Sequence, residues 1–312
     1  MPIALAAGLR TPPAEPVEVG PVDDAERLEL GAPAPEQRGE PSGVPASSTV
    51  VSAAAAAPGA VGSGFAVAAG KTKVEVFGVP RVTSAGKEVV FGRAEARDLF
   101  ALLAVSRDGM PTEGIVETLW PGDYERGARR LESAVREVNQ AMRHATGCAT
   151  GVRFVVKSGE RRLLPPASFD VDFWRFDEAC KLVSTAVDEA TRVSALYEVL
   201  ALYRGPLLAG RDDLWVVPVR QAAQRHTVNA AERLAELVRA DDPGRAVDVL
   251  QLAVERIDPY NELLWCRLMT VQAEVGGHLA VRRSFELMRE RLVEIDAVPS
   301  VQVRQLYERL LR

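Results

Sequence analysis

Cysteine is scarce in this chain: Cys148, Cys180 and Cys266 are the only three in 312 residues, scattered and without a CxxC pair. Such spacing builds neither a disulfide framework nor a thiolate zinc site, and it fits reduced thiols in a cytoplasmic protein. Histidine is equally rare. His144, His226 and His278 lie too far apart for metal-ligand spacing, and no metal is expected. No stretch approaches ~18 consecutive apolar residues, so no membrane span is expected. The apolar start MPIALAAGL has no basic segment before it, and a secretory signal is not expected either. Phosphate-binding GxxxxGK[ST] and nucleophile-elbow GxSxG patterns are missing. The pairs Asp23-Asp24, Asp212-Asp213 and Asp241-Asp242 read as solvated carboxylates rather than acid–base machinery. Neither an enzyme nor a cofactor is expected.

Charge is distributed unevenly. Residues 1–70 hold three basic and eight acidic side chains (−5), residues 71–166 hold sixteen and twelve (+4), and residues 167–312 hold nineteen and twenty-three (−4). One basic segment inside an acidic chain points to a polyanionic partner. The first 70 residues are dominated by Pro, Gly, Ala and acid, as in PPAEPVEVGPVDD, and carry no periodicity. They are expected to be a disordered tail.

Residues 71–166 are expected to form a compact α+β unit. Lys73–Phe77, Arg81–Thr83 and Glu88–Phe91 read as short strands around a Ser84–Lys87 turn. Ala94–Ser106 is a helix with Ala96, Leu99, Phe100, Leu103 and Ala104 on one face. A second helix follows Thr112, its expected N-cap, and stops at Pro121-Gly122. The third spans Tyr124–Gly147. Val152–Lys157 and Arg161–Leu164 then form a hairpin around Ser158-Gly159-Glu160. Sheet, three helices and hairpin in that order make a winged helix-turn-helix, whose third helix enters the major groove.

That third helix is amphipathic. Ala128, Leu131, Val135, Val138 and Met142 draw its apolar stripe. Opposite them Arg126, Arg129, Ser133, Arg136, Gln140 and Arg143 fall within roughly a 100° arc at ~100° per residue. Arginine forks onto guanine edges or phosphates, and glutamine pairs with adenine. Lys157, Arg161 and Arg162 on the hairpin are expected to meet backbone phosphate or the minor groove. Glu132 and Glu137 flank the basic row and narrow it.

Taken together, VEVFGVPRV, ARDLFALLAVSRDG, LWPGD and RRLESAVREVNQAMR resemble the DNA-binding domain of SARP-type bacterial transcriptional activators. The resemblance implies an OmpR-like winged helix and a recognition helix around Arg129, Ser133, Arg136, Gln140 and Arg143. This chain departs from the family at Glu137-Val138-Asn139-Gln140, where a dense basic run is usual. The resemblance continues past Pro165-Pro166. The Phe169–Phe176 segment and Gly205–Gln221, with Trp215 and Arg220, are similar to the bacterial transcriptional activator domain.

Residues 167–312 read as helices separated by short turns. Ala246-Val247 and Ala280-Val281 each begin a helix, 34 residues apart, the period of tetratricopeptide repeats. Such repeats stack and leave a groove for a peptide or another subunit. The four tryptophans, Trp120, Trp174, Trp215 and Trp265, are expected on helices as core anchors.

The expected architecture is therefore mostly α: a winged helix-turn-helix (α+β) domain at 71–166, then an all-helical tetratricopeptide-like domain at 167–312, behind the tail. The expected function is a DNA-binding transcriptional activator. Its partners would be double-stranded promoter DNA, RNA polymerase and a second copy of itself. The alternative is a protein-interaction scaffold whose winged helix no longer binds DNA, motivated by Glu132, Glu137 and Asn139.

Overall fold

The computed structural model describes residues 71–312, and the tail expected at 1–70 lies outside the described residues. Two small sheets organise the first part. The first runs in the order β3 (Lys87–Glu88), β2 (Arg81–Ser84), β1 (Thr72–Glu75) and β7 (Phe169–Val171). Its first three strands are antiparallel, but β7 joins β1 in parallel, pairing Thr72 with Phe169 and Val74 with Val171. The second sheet is the wing, in the order β4 (Met110–Pro111), β6 (Arg161–Leu163), β5 (Val156–Ser158), antiparallel throughout.

Between the sheets lie α1 (Ala94–Ala104), α2 (Thr112–Leu119) and α3 (Tyr124–Thr146). α3 ends where expected, because Gly147 takes the left-handed conformation at φ 68° that an L side chain resists. α2 differs at its start. Pro111 is the N-cap, and the Thr112 hydroxyl donates instead to Glu160 O at 3.3 Å, tying the helix to the tip of the wing. The apolar stripe of α3 is also shifted. Gly127, Leu131, Ala134, Val135, Val138, Asn139 and Met142 are buried, whereas Ala128 is exposed. At Gly127 a Cβ would stand 2.5 Å from Val116 Cγ1, so α2 and α3 touch at a point only glycine permits. Gly127→Ala is expected to cost about 1–3 kcal/mol through overpacking, read as a fall in the denaturant midpoint.

The second part is a succession of helices: α4 (Asp172–Thr185), α5 (Glu189–Leu202), α6 (Val216–Val238), α7 (Pro243–Leu252), α8 (Glu262–Glu274), α9 (His278–Val293) and α10 (Val301–Leu310). Each packs on its neighbour in sequence, as stacked helical repeats do. Side chains at Asp188, Asp242, Asn261 and Ser300 accept first-turn amides at the starts of α5, α7, α8 and α10. The repeat register differs slightly from the sequence pattern. Ala246, Val249 and Leu250 of α7 correspond in burial to Val281, Ser284 and Phe285 of α9, so the structural offset is 281 − 246 = 35. Ala253–Ile257 closes as a π-helical turn, and such a turn inserts one residue into a helix.

The two parts share one continuous core. Phe169, on β7, lies against Phe100 (5.8 Å between ring centroids) and Phe154 (6.1 Å), at the centre of the winged helix. Phe77, just past β1, lies against Phe176 (4.9 Å) and Tyr203 (5.4 Å) of the helical part. The Leu207–Ala209 backbone runs beside Val76–Gly78, with Leu208 N–H donating to Val76 O at 2.7 Å and Ala209 N–H to Gly78 O at 2.9 Å. Trp174 and Trp265 are core residues on helices; Trp120 and Trp215 instead flank helix ends and are half-buried.

Candidate nucleic-acid interface

The polar face of α3 is open to solvent, and the residues on it divide by what they touch. Arg126, Arg129, Arg136 and Gln140 are exposed, with no hydrogen bond or ion pair to the described residues. Ser133 is half-buried, and its hydroxyl accepts from Arg93 Nη1 at 3.4 Å. Arg143 is half-buried and donates to Val152 O at 3.3 Å, which ties the last turns of α3 to the approach to the wing. On the wing, Lys157 is exposed. Arg161 directs its guanidinium to carbonyls of the α1–α2 turn, with Nη2 2.9 Å from Gly109 O and Nε 3.1 Å from Asp108 O. Arg162 is half-buried and ion-paired with Glu132. The nine cationic and polar residues marked in the sequence thus lie on one helix face and one hairpin. Five of them, Arg126, Arg129, Arg136, Gln140 and Lys157, point outward with no partner among the described residues.

The three residues that argued against DNA have structural employment. Glu137 Oε1 accepts the Arg93 backbone N–H at 2.6 Å, supplying a cap to α1, whose N-cap residue offers no side-chain bond of its own. Its Oε2 lies 3.3 Å from Arg93 Nε. Glu132 is neutralised by Arg162. Asn139 is 1% exposed; its Oδ1 accepts Phe154 N–H at 2.5 Å and Val155 N–H at 3.1 Å, and its Nδ2 donates to Val135 O at 2.8 Å. A basic residue at 137 or 139 would lose these bonds, which is a local reason for the departure from a basic run.

A groove of about 780 Å³ separates α3 from the wing, and Arg136, Arg153, Lys157 and Arg162 line it. Arg153 is a cation that sequence reasoning passed over. The alternation Val152-Arg153-Phe154 could have found it, since Val152 and Phe154 are buried and Arg153 is exposed. Arg93 was passed over too; it precedes α1 and carries no periodic signal, and its place beside α3 is a tertiary contact.

Among the described residues no group of three His, Cys, Asp or Glu side chains is placed to hold a metal ion, and no helix is long and apolar enough to cross a membrane. Burial pushes the Cys180 thiol up to about 11, aided by Asp177, which leaves it a poor nucleophile at neutral pH.

Residues 171–311 match the family described as bacterial transcriptional activator domain. That match falls on the helical part of the chain. The match begins on the last residue of β7, inside the first sheet. The fold is similar to Mycobacterium tuberculosis EmbR, solved in complex with a low affinity phosphopeptide. The identity is 23% and the TM-score 0.55, over 78% of this chain and 65% of that chain. No curated protein matches the sequence. The family match agrees with the resemblance over residues 171–311, and the structural likeness agrees with its fold. The matched family is one of transcriptional regulators and not an enzyme class.

Proposed function

We propose that this chain is a cytoplasmic transcriptional activator that binds promoter DNA through its winged helix. The observation that carries the reading is the unpartnered row Arg126, Arg129, Arg136 and Gln140 on an α3 whose opposite face is buried. Unpaired guanidinium groups on a rigid helix lose little on transfer to phosphate or guanine, whereas those already bonded within the fold must exchange partners. Residues 71–166 would supply DNA contact. Residues 167–312 would supply self-association or RNA polymerase contact through the helical repeats, whose stacked faces suit a protein partner. Ser133, Arg143, Arg161 and Arg162 keep a place in the reading as residues that position α3 and the wing, and that reach phosphate when their present contacts exchange.

The scaffold alternative loses its motive, since Glu132, Glu137 and Asn139 are engaged inside the fold. Selection of random and genomic promoter fragments by the full chain at moderate salt, followed by sequencing, tests the reading. An enriched short motif is expected, lost when Arg129 and Arg136 are both replaced by alanine. Absence of any enriched motif would sink the DNA reading in favour of the scaffold. On the selected site, Arg136→Ala is expected to weaken binding by ~1–3 kcal/mol and to relax preference at one base pair. A titration of matched and mismatched duplexes reads both effects.

A further inference from the structure

A recognition helix seated in a major groove has a phosphate backbone along each side, ~12 Å apart. The wing lies to one side of α3. Projected at ~100° per residue, Glu132, Arg136 and Arg143 run along that edge of the polar face, and Arg153 and Lys157 face them across the groove. The other edge carries Arg126, Arg130, Ser133 and Glu137. Beyond it stands Arg93, from the start of a different helix, with its guanidinium against Ser133 and Glu137.

We infer that Arg93 anchors the DNA strand opposite the one the wing faces, so that α3 is clamped between two phosphate contacts made by separate elements. The inference rests on the DNA-binding reading above. Three features carry it. The Arg93 side chain is 70% exposed despite its contacts, so a phosphate can reach it. Its backbone is fixed to α3 through the Glu137 carboxylate, which sets the Cα at a constant distance from the reading face. Glu137 also retains that backbone N–H when the guanidinium leaves, so the carboxylate is not stranded when Arg93 turns to phosphate. Arg130, on the same edge, lies 4.0 Å from Asp123 at the start of α3 and adds a second cation to that side.

The test compares the full chain with Arg93→Ala and Arg93→Lys on the selected duplex across a range of salt, with phosphate ethylation interference on each strand. A backbone contact by Arg93 is expected to appear as a loss of about one in the slope of log K against log salt in Arg93→Ala. Binding should weaken evenly across sequences, and interference should disappear on one strand only. Arg93→Lys is expected to restore the slope, because a phosphate contact needs the charge. Neither variant removes the backbone bond to Glu137, so α1 keeps its cap. An unchanged slope in Arg93→Ala, or a loss that lysine does not restore, would overturn the inference while leaving the DNA reading intact. Should the unaltered chain select no duplex, both fall together.

Discussion

Asp172→Ala is expected to lower the stability of the chain by about 3–5 kcal/mol, from the loss of charge-assisted bonds to buried amides. Asp172 is 5% exposed, at the first turn of α4. Its carboxylate accepts Val76 N–H at 2.9 and 3.1 Å and Phe77 N–H at 3.2 Å, in the stretch that leaves β1. Arg204, at the end of α5, donates to the same carboxylate at 2.6 Å. Truncation orphans two buried amides, each at a cost of ~1–3 kcal/mol. Arg204 is 41% exposed and can turn to water, so its lost ion pair adds little. At this chain size each kcal/mol moves the melting temperature by roughly 2–4 °C. A thermal melt of Asp172→Ala should therefore fall by on the order of 10 °C. A melt within a degree of the unaltered chain would show that the clasp between the winged helix and the helical part carries no weight. Asp172→Asn, which keeps one acceptor, is expected to fall between the two.

That clasp was only half legible in the sequence. The Phe169–Phe176 segment stands out by resemblance and by its apolar spacing, but in sequence it reads as part of the helical unit alone. Phe169–Val171 in fact completes the first sheet as β7, paired in parallel with a strand on the far side of the entire winged helix in sequence. Three residues give too short an alternation to separate a strand from the helix that follows. Met110–Pro111 escaped for the same reason, being a two-residue strand that only the wing completes. What was legible rested on long periodic signals and strong stops: the amphipathic run of α3 with Gly147 behind it, the Ser158-Gly159-Glu160 turn, and the helices of the activator domain with Asp or Asn at their starts. Of the candidate interface, the sequence showed which residues share a face of α3, since period alone decides that. It could not show that Glu137 and Glu132 meet Arg93 and Arg162, because those pairs join residues 44 and 30 apart.

Asn139 joins the two halves of the argument, because a residue that looked like a lost cation sits where the wing is attached. Asn139→Ala is expected to destabilise the chain by about 2–4 kcal/mol, the cost of leaving two buried amides, Phe154 N–H and Val155 N–H, without an acceptor. The side chain reaches these amides from the buried face of α3, at a site 1% exposed. The same change should weaken DNA binding although Asn139 faces away from the reading row. Phe154 and Val155 lead directly into β5, and with their anchor gone Arg153 and Lys157 are no longer held at a fixed distance from Arg136. Preorganised contacts lose affinity when their support is removed, even if every contacting side chain remains. Asn139→Asp separates the two effects. It keeps the acceptor for both amides but exchanges the donor toward Val135 O for a second carboxylate oxygen, so part of the stability is expected to remain. Denaturant melts read the stability of each variant, and duplex titration at a temperature where all are folded reads the binding. If Asn139→Ala bound the selected duplex as tightly as the unaltered chain, the wing would have no part in affinity, and Lys157 and Arg153 would leave the interface with it.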